Sequence, residues 1–348
     1  MKLNNHQHNY LISTFDGLGD GVIYYPIIRS VAEGNPRNLF YCATNLFFSD
    51  KDILEKLDLP KNIKFVTEEF RKFPEENYNY ILNFLSENNI KKIINLRFIG
   101  RDFEKGYFKF KDHAESNNLD LNFYDSENIS FFESNHNARS VVLKIFENTL
   151  GGEIKYNEFI LKTIFPVSDD SDAIFINMHS RGDFKLWNIN KWSEVISSMV
   201  FYGKKVYVYD GYDEKEKEYT RKVFDNLSQI VKGKINLLVD SNLLDLISTL
   251  QKAKLLISVD SGLIHLADAV GVESIGIYLT TSPRMWGGVT EKFHFVQSLH
   301  MRNCKKFYKQ FGMCMNGKKK CEEIEGESDD IDIHEIFNIV NNIYEKEN

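Results

Sequence analysis

Three short stretches concentrate the side chains that can do chemistry. In residues 13–26, STFDGLGDGVIYYP, Gly17, Gly19 and Gly21 surround two carboxylates, Asp16 and Asp20. A glycine-rich turn lets backbone N–H groups approach a ligand, and a carboxylate placed there can take a proton as a general base. Capping the following helix is the other role open to Asp20. In residues 176–192, INMHSRGDFKLWNINKW, a loop carries His179, Arg181 and Lys185. Lys185 can neutralise a phosphate as a point charge, or stand as an ordinary solvated lysine. In residues 255–283 the run VDSGLIH places Asp260, Ser261, Gly262 and His265 at the start of a short helix. Unpaired N–H groups and the positive end of the helix dipole meet there, so a hydroxyl and a glycine admit an anionic diphosphate. His265 lies off the apolar stripe of Leu263, Leu266, Ala267 and Val270, which leaves it either facing a ligand or making a structural hydrogen bond. Asp260 either accepts from the ligand or caps the helix.

Positioning these residues requires strands that end where the loops begin. Short β-branched and aromatic runs alternate with helical periodicity along the whole chain, the pattern of an α/β protein with parallel sheets. Strands are expected at 10–15, 39–43, 63–66 and 93–96, then at 174–178, 205–209, 235–239, 255–259 and 275–279. Helices are expected at 139–150, 191–201, 243–250 and 331–344. The polar SDDSD run at 168–172 marks the break between two α/β halves, giving domains 1–167 and 168–325 and a C-terminal helical segment 326–348. Each candidate stretch then falls at the carboxyl end of a strand, where open α/β sheets build their sites. A nicotinamide-type fingerprint is disfavoured, because Gly17, Gly19 and Gly21 are spaced two and two and no acid ends the strand at 38–45.

Composition narrows the partners. The chain has 348 residues with 43 Lys+Arg against 50 Asp+Glu, a formal charge of −7 that argues against a nucleic-acid-coating role. No uninterrupted apolar run reaches a membrane span and the first residues, MKLNNHQHNY, do not read as a signal peptide, so the expected address is the cytoplasm. Four cysteines are too few for a disulfide scaffold.

Taken together, the three stretches resemble glycosyltransferase family 9, the heptosyltransferase-like enzymes. The resemblance rests on Gly19-Asp20 with Pro26 six residues later, on Lys185-x-Trp187, on Asp260-Ser261-Gly262-x-x-His265-x-x-x-Ala269, and on Thr281-x-Pro283, in the family's order over about residues 10–290. It implies a GT-B fold, with two Rossmann-like domains facing across a cleft and a C-terminal helix that can return to the first domain. It further implies an inverting, metal-independent transfer from a nucleotide-diphosphate sugar, ADP-heptose being the family's commonest donor. The acceptor would be a glycan, lipopolysaccharide or protein hydroxyl. On this likeness Asp20 is the general base, with Asp16 the rival, in a loop supported by Gly17 and Gly19. Lys185 contacts the diphosphate; Asp260, Ser261, Gly262, His265 and Thr281 line the donor site; Glu214, next to Asp213, holds the ribose. Asn188 replaces the family's Pro after Lys-x-Trp, and Leu279-Thr280 replaces its Gly-Pro.

Residues outside that pattern add expectations. Arg97 and Arg101 can hold an anionic acceptor through forked hydrogen bonds, or be solvated. Seven basic residues and no acidic one lie between Arg302 and Lys320, interleaved with aromatics, a patch for an anionic membrane face or acidic acceptor if it is not a solvated loop. His300, Cys304, Cys314 and Cys321 provide four soft ligands for a structural metal, although the spacing matches no standard zinc pattern. No Asp-x-Asp pair lies near either site to bridge a diphosphate through a metal, and no cofactor is expected. Two other classes stay open: a GT-B-type sugar-nucleotide epimerase, and a catalytically degenerate sugar-nucleotide-binding module.

Overall fold

A computed structural model describes residues 7–14, 17–97, 105–126, 137–158, 160–168, 172–299 and 330–345. The chain divides into two compact units, Met1–Glu158 and Phe159–Asn348. The first contains a five-stranded sheet in the order β3-β2-β1-β4-β5, formed by β1 (Asn9–Ser13), β2 (Leu39–Ala43), β3 (Ile63–Val66), β4 (Ile90–Asn95) and β5 (Asn122–Tyr124). Every pairing is parallel. The strand order reverses between β1 and β4, so a crevice opens beyond their carboxyl ends. Leu11, Ile93, Phe70, Phe73, Phe110 and Ile81 fill the core on one face of this sheet.

The second unit repeats the plan with six strands in the order β11-β10-β9-β6-β7-β8. These are β6 (Ala173–Asn177), β7 (Val206–Tyr209), β8 (Ile235–Leu238), β9 (Ala253–Val259), β10 (Glu273–Tyr278) and β11 (Phe293–Gln297), again all parallel. Its order reverses between β6 and β9. The nearly unbroken apolar runs of β6 and β9 are buried on both faces, as a covered parallel sheet requires. Two strands, β5 and β11, have no counterpart among the strands expected from the sequence. Both are sheet edges with mixed burial, and their pattern is correspondingly weak.

The helix Ile333–Glu345 packs within the second unit: Ile336, Val340 and Ile343 join the core of its sheet with Ile275, Ile277 and Val296. Its end is held by Tyr344, whose ring lies 4.3 Å from Lys204 Nζ and 4.8 Å from Lys254 Nζ. Amphipathic spacing shows that a helix has a face to bury, but does not name the groove that receives it. No helix among the described residues is long and apolar enough to cross a membrane.

Candidate functional site

In the second unit the site is built at the reversal between β6 and β9. The chain leaves β9 at Val259, and Asp260 follows at 4% exposure. Lys185 arrives from the loop after β6, on a single 3-10 turn (Asp183–Lys185), and its Nζ lies 2.7 Å from Asp260 Oδ2. Thr281, after β10, donates its hydroxyl to the same oxygen at 2.6 Å. One buried carboxylate oxygen thus gathers two of the expected donor-binding residues, and charge-assisted bonds of this kind fix geometry strongly. Asp260 is therefore not the helix cap. That role belongs to Ser261, whose Oγ accepts the Leu263 N–H at 3.3 Å, opening the helix Gly262–Val270 with Ser261 and Gly262 half-buried.

The loop bearing Lys185 is anchored by the residue two places on. Trp187 is buried, meets Trp192 edge to face at 5.2 Å between ring centres, and offers its carbonyl to the Tyr219 hydroxyl. Trp192 lies on the sheet-covering helix Ile189–Phe201, capped by Asn188 through the N–H groups of Asn190 and Lys191. The Lys-x-Trp spacing thus separates a charge that faces out from the ring that pins it.

His265 is more buried than its place off the leucine stripe suggests. The helix Gly262–Val270 is buried on every side from Leu263 onward, so lying off the leucine stripe does not expose the imidazole, which is only 7% accessible. Asp268 on the same helix, missed in the sequence, is buried and accepts the N–H groups of Val289 and Thr290 and the Thr290 hydroxyl, tying down the loop before β11. Glu214 begins the helix Glu214–Asp225 and is exposed, 3.6 Å from Arg221. Its neighbour Asp213 is that helix's N-cap, accepting from Glu216 N at 2.9 Å. Glu216 is half-buried and folds back to accept from Tyr212 N at 2.7 Å; burial raises its carboxyl above the usual range.

His179 is a strongly perturbed titratable group in this unit. It is 3% exposed, with Nε2 2.9 Å from Thr220 Oγ1 and 3.2 Å from the Tyr209 carbonyl. Burial lowers its pKa to about 4, so it is neutral at physiological pH. The Thr220 hydroxyl donates to the Asp210 carbonyl, which leaves Thr220 as acceptor and His179 Nε2–H as donor. The imidazole therefore joins the ends of β6 and β7.

In the first unit, Asp20 is the third residue of the helix Leu18–Gly34, not its cap. Gly17 occupies the cap position and its N–H donates to Asp20 Oδ2 at 3.1 Å, while the Asp20 side chain remains half-buried. Gly19 is buried, and Gly21 permits a close approach, since a Cβ there would sit 2.3 Å from Phe47 Cβ. Arg97 follows β4 on the other side of the strand reversal, and its guanidinium donates to the Arg71 carbonyl at 3.1 Å. Asp16, Arg101, His300, Cys304, Cys314, Cys321 and the basic segment lie outside the described residues. Among the described residues no cluster of His, Cys, Asp and Glu is arranged to hold a metal. Cys42 is buried and its thiol pKa is pushed up by burial, which suits packing rather than reactivity.

Residues 145–314 match the family model "Glycosyltransferase family 9 (heptosyltransferase)". Among solved structures, the chain is similar to the glycosyl transferase family 9 protein from Veillonella parvula, with a TM-score of 0.63 at 15% identity, covering 99% of this chain and 98% of that one. It is similar to E. coli ADP-heptose lps heptosyltransferase II, with a TM-score of 0.60 at 14% identity, covering 98% and 99%. It is also similar to E. coli heptosyltransferase WaaC with ADP, with a TM-score of 0.58 at 17% identity, covering 82% and 92%. No curated protein matches the chain in sequence. Two parallel α/β units with these likenesses and the family match define a glycosyltransferase of the GT-B fold. More narrowly, residues 145–314 are similar to family 9, and the matched segment holds Lys185, Asp260, Ser261 and Thr281.

Proposed function

We propose that the protein catalyses an inverting, metal-independent transfer of a heptose from ADP-heptose to a hydroxyl of a glycan, lipopolysaccharide or protein. The observation carrying this reading is the convergence of Lys185 and Thr281 on Asp260, next to the Ser261-capped helix start and within the segment that matches family 9. Two of the similar structures, both of E. coli heptosyltransferase WaaC, hold ADP or ADP-2-deoxy-2-fluoro heptose.

The chemistry follows from the charges. A sugar hydroxyl is a weak nucleophile, so Asp20 accepts its proton as the oxygen bonds to the anomeric carbon. The bond from that carbon to the diphosphate oxygen breaks, and its electron pair leaves with ADP. Lys185 and the N–H groups at the start of the helix Gly262–Val270 stabilise the growing negative charge. Glu214 is assigned to the ribose, and Arg97 and Arg101 to anionic groups of the acceptor. An anionic membrane face is the natural place to meet a lipid-linked acceptor, with the protein peripheral to it in the cytoplasm.

Purified protein given ADP-heptose and a truncated lipopolysaccharide acceptor should release ADP and a mass-shifted acceptor, with equal rates in chelator and in magnesium. Rates that collapse in chelator and return with magnesium overturn metal independence. Donor incubated alone should persist; its conversion to an isomer would assign the site to an epimerase.

A further inference from the structure

We propose that Thr280 is a positioning residue for Lys185, acting by fixing the peptide from which the lysine side chain rises toward a diphosphate. This rests on the diphosphate reading of the turn at Asp260. Thr280 lies two residues beyond β10 and is 1% exposed. Its hydroxyl donates to the Phe184 carbonyl at 3.3 Å, reaching a loop 96 residues away in sequence. That carbonyl and the Lys185 N–H belong to one planar peptide unit. The N–H in turn donates to the Gly182 carbonyl at 2.9 Å. The peptide plane that carries Lys185 is therefore held at both its polar ends.

The next residue holds the far end of the same side chain. The Thr281 hydroxyl and Lys185 Nζ meet on Asp260 Oδ2, at 2.6 and 2.7 Å. Two consecutive threonines after β10 thus grip one lysine, Thr280 at its backbone and Thr281 at its head. The Phe184 ring packs against Gly182, where a Cβ would stand 2.5 Å from Phe184 Cε1, so the turn is also filled from within. The Lys185 side chain keeps 21% of its surface exposed, which leaves it within reach of an anion. A lysine stem is flexible, and freedom removed before binding is not lost on binding. Thr280 stands where the family pattern has Pro, which has no hydroxyl to donate, so the tie is not carried by that pattern.

Removing the hydroxyl without the shape separates this role from packing. Thr280→Val keeps the branched side chain and loses the donor, whereas Thr280→Ser keeps the donor. Calorimetric titration of the full-length protein with ADP, and separately with adenosine, tests the idea. Thr280→Val should weaken ADP by about fivefold, the worth of one neutral hydrogen bond. Adenosine affinity should change by less than about twofold, since it lacks the phosphates that Lys185 meets. Thr280→Ser should recover ADP affinity to within about twofold of wild type. In a Lys185→Met background, Thr280→Val should add less than about twofold, because the threonine acts through that ammonium. Unchanged ADP affinity in Thr280→Val, an equal loss of adenosine, no recovery in Thr280→Ser, or the same loss added on top of Lys185→Met would overturn the proposal. If Thr280→Val does not melt as a folded protein, Thr280→Ala decides by the same criteria. A wild-type protein that binds neither ADP nor pyrophosphate removes the diphosphate reading and the role of Thr280 with it. Normal wild-type binding with an indifferent Thr280→Val removes only the role of Thr280.

Discussion

The two strand reversals share a device and use it to different ends. In the first unit, Asn95 at the end of β4 closes a small ring with the residue two places on, donating to the Arg97 carbonyl and accepting the Arg97 N–H, both at 3.1 Å. In the second, Asn177 makes the same ring with His179 at the end of β6. Beyond that the two diverge. Asn177 reaches on to Ser258 and Ser261 of the neighbouring strand and turn, and Lys185, Asp260 and Thr281 interlock beside it. In the first unit the acid of interest sits on the first turn of a helix, half-buried and folded back on Gly17. The contrast suits two tasks: a charged leaving group is best met by dipoles fixed beforehand, whereas a base must stay reachable by its substrate.

The largest expected effect tests the open side. Asp20→Asn should lower the transfer rate by about 10²–10⁴-fold, the usual worth of a general base, while ADP binding stays within about twofold. Loss of ADP binding in that variant would erase the division of labour between the units. On the interlocked side, Lys185→Met should weaken ADP by about a hundredfold, since it removes a cation and leaves Asp260 buried without it. Titration calorimetry checks this, and an affinity within about threefold of wild type would make the ion pair a purely structural contact.

A smaller effect probes the depth of the second site. The folded-state pKa of His179 is depressed to about 4 from 6.5, so between those values the unfolded chain binds more protons than the folded one. Its contribution is present above about pH 6.5 and lost as pH falls toward about 4, amounting to about 3 kcal/mol. Urea unfolding of wild type and His179→Gln across pH 4–7 should show this slope in the wild type minus variant difference, and a flat difference would mean the imidazole is solvated. The smallest effect is Thr281→Val, which removes one neutral donor to Asp260 and should cost about fivefold in ADP affinity.

Much of the fold was legible because parallel strands buried on both faces leave continuous apolar runs. β2 and β3 fall at the expected residues 39–43 and 63–66, and the expected helix at 139–150 is observed as Ala138–Leu150, ended by Gly151 in the left-handed conformation at φ 76°. Edge strands β5 and β11 were not legible, since half-buried strands of few residues leave little pattern. In the site, Lys185, Asp260 and Ser261 were singled out by residue type and spacing, and Thr281 by the family resemblance. Their division of roles was not, because whether Asp260 caps, binds or clamps depends on which side chains arrive from 75 or 21 residues away in sequence. The burial of His265 and the loop-tying role of Asp268 were not legible for a related reason: a helix buried all round has no polar face to betray its neighbours. Asn177 gave no signal stronger than an asparagine at a strand end.

The C-terminal helix has an evolutionary corollary. With Ile336, Val340 and Ile343 closing over β10 and β11, the apolar interior of the second unit draws on its own segment of chain. Under the proposed division of donor and acceptor between the units, lineages can therefore remodel the first unit toward new recipients without loosening the hold on the activated donor, and chimaeras that graft foreign first units onto this second unit should inherit its nucleotide preference.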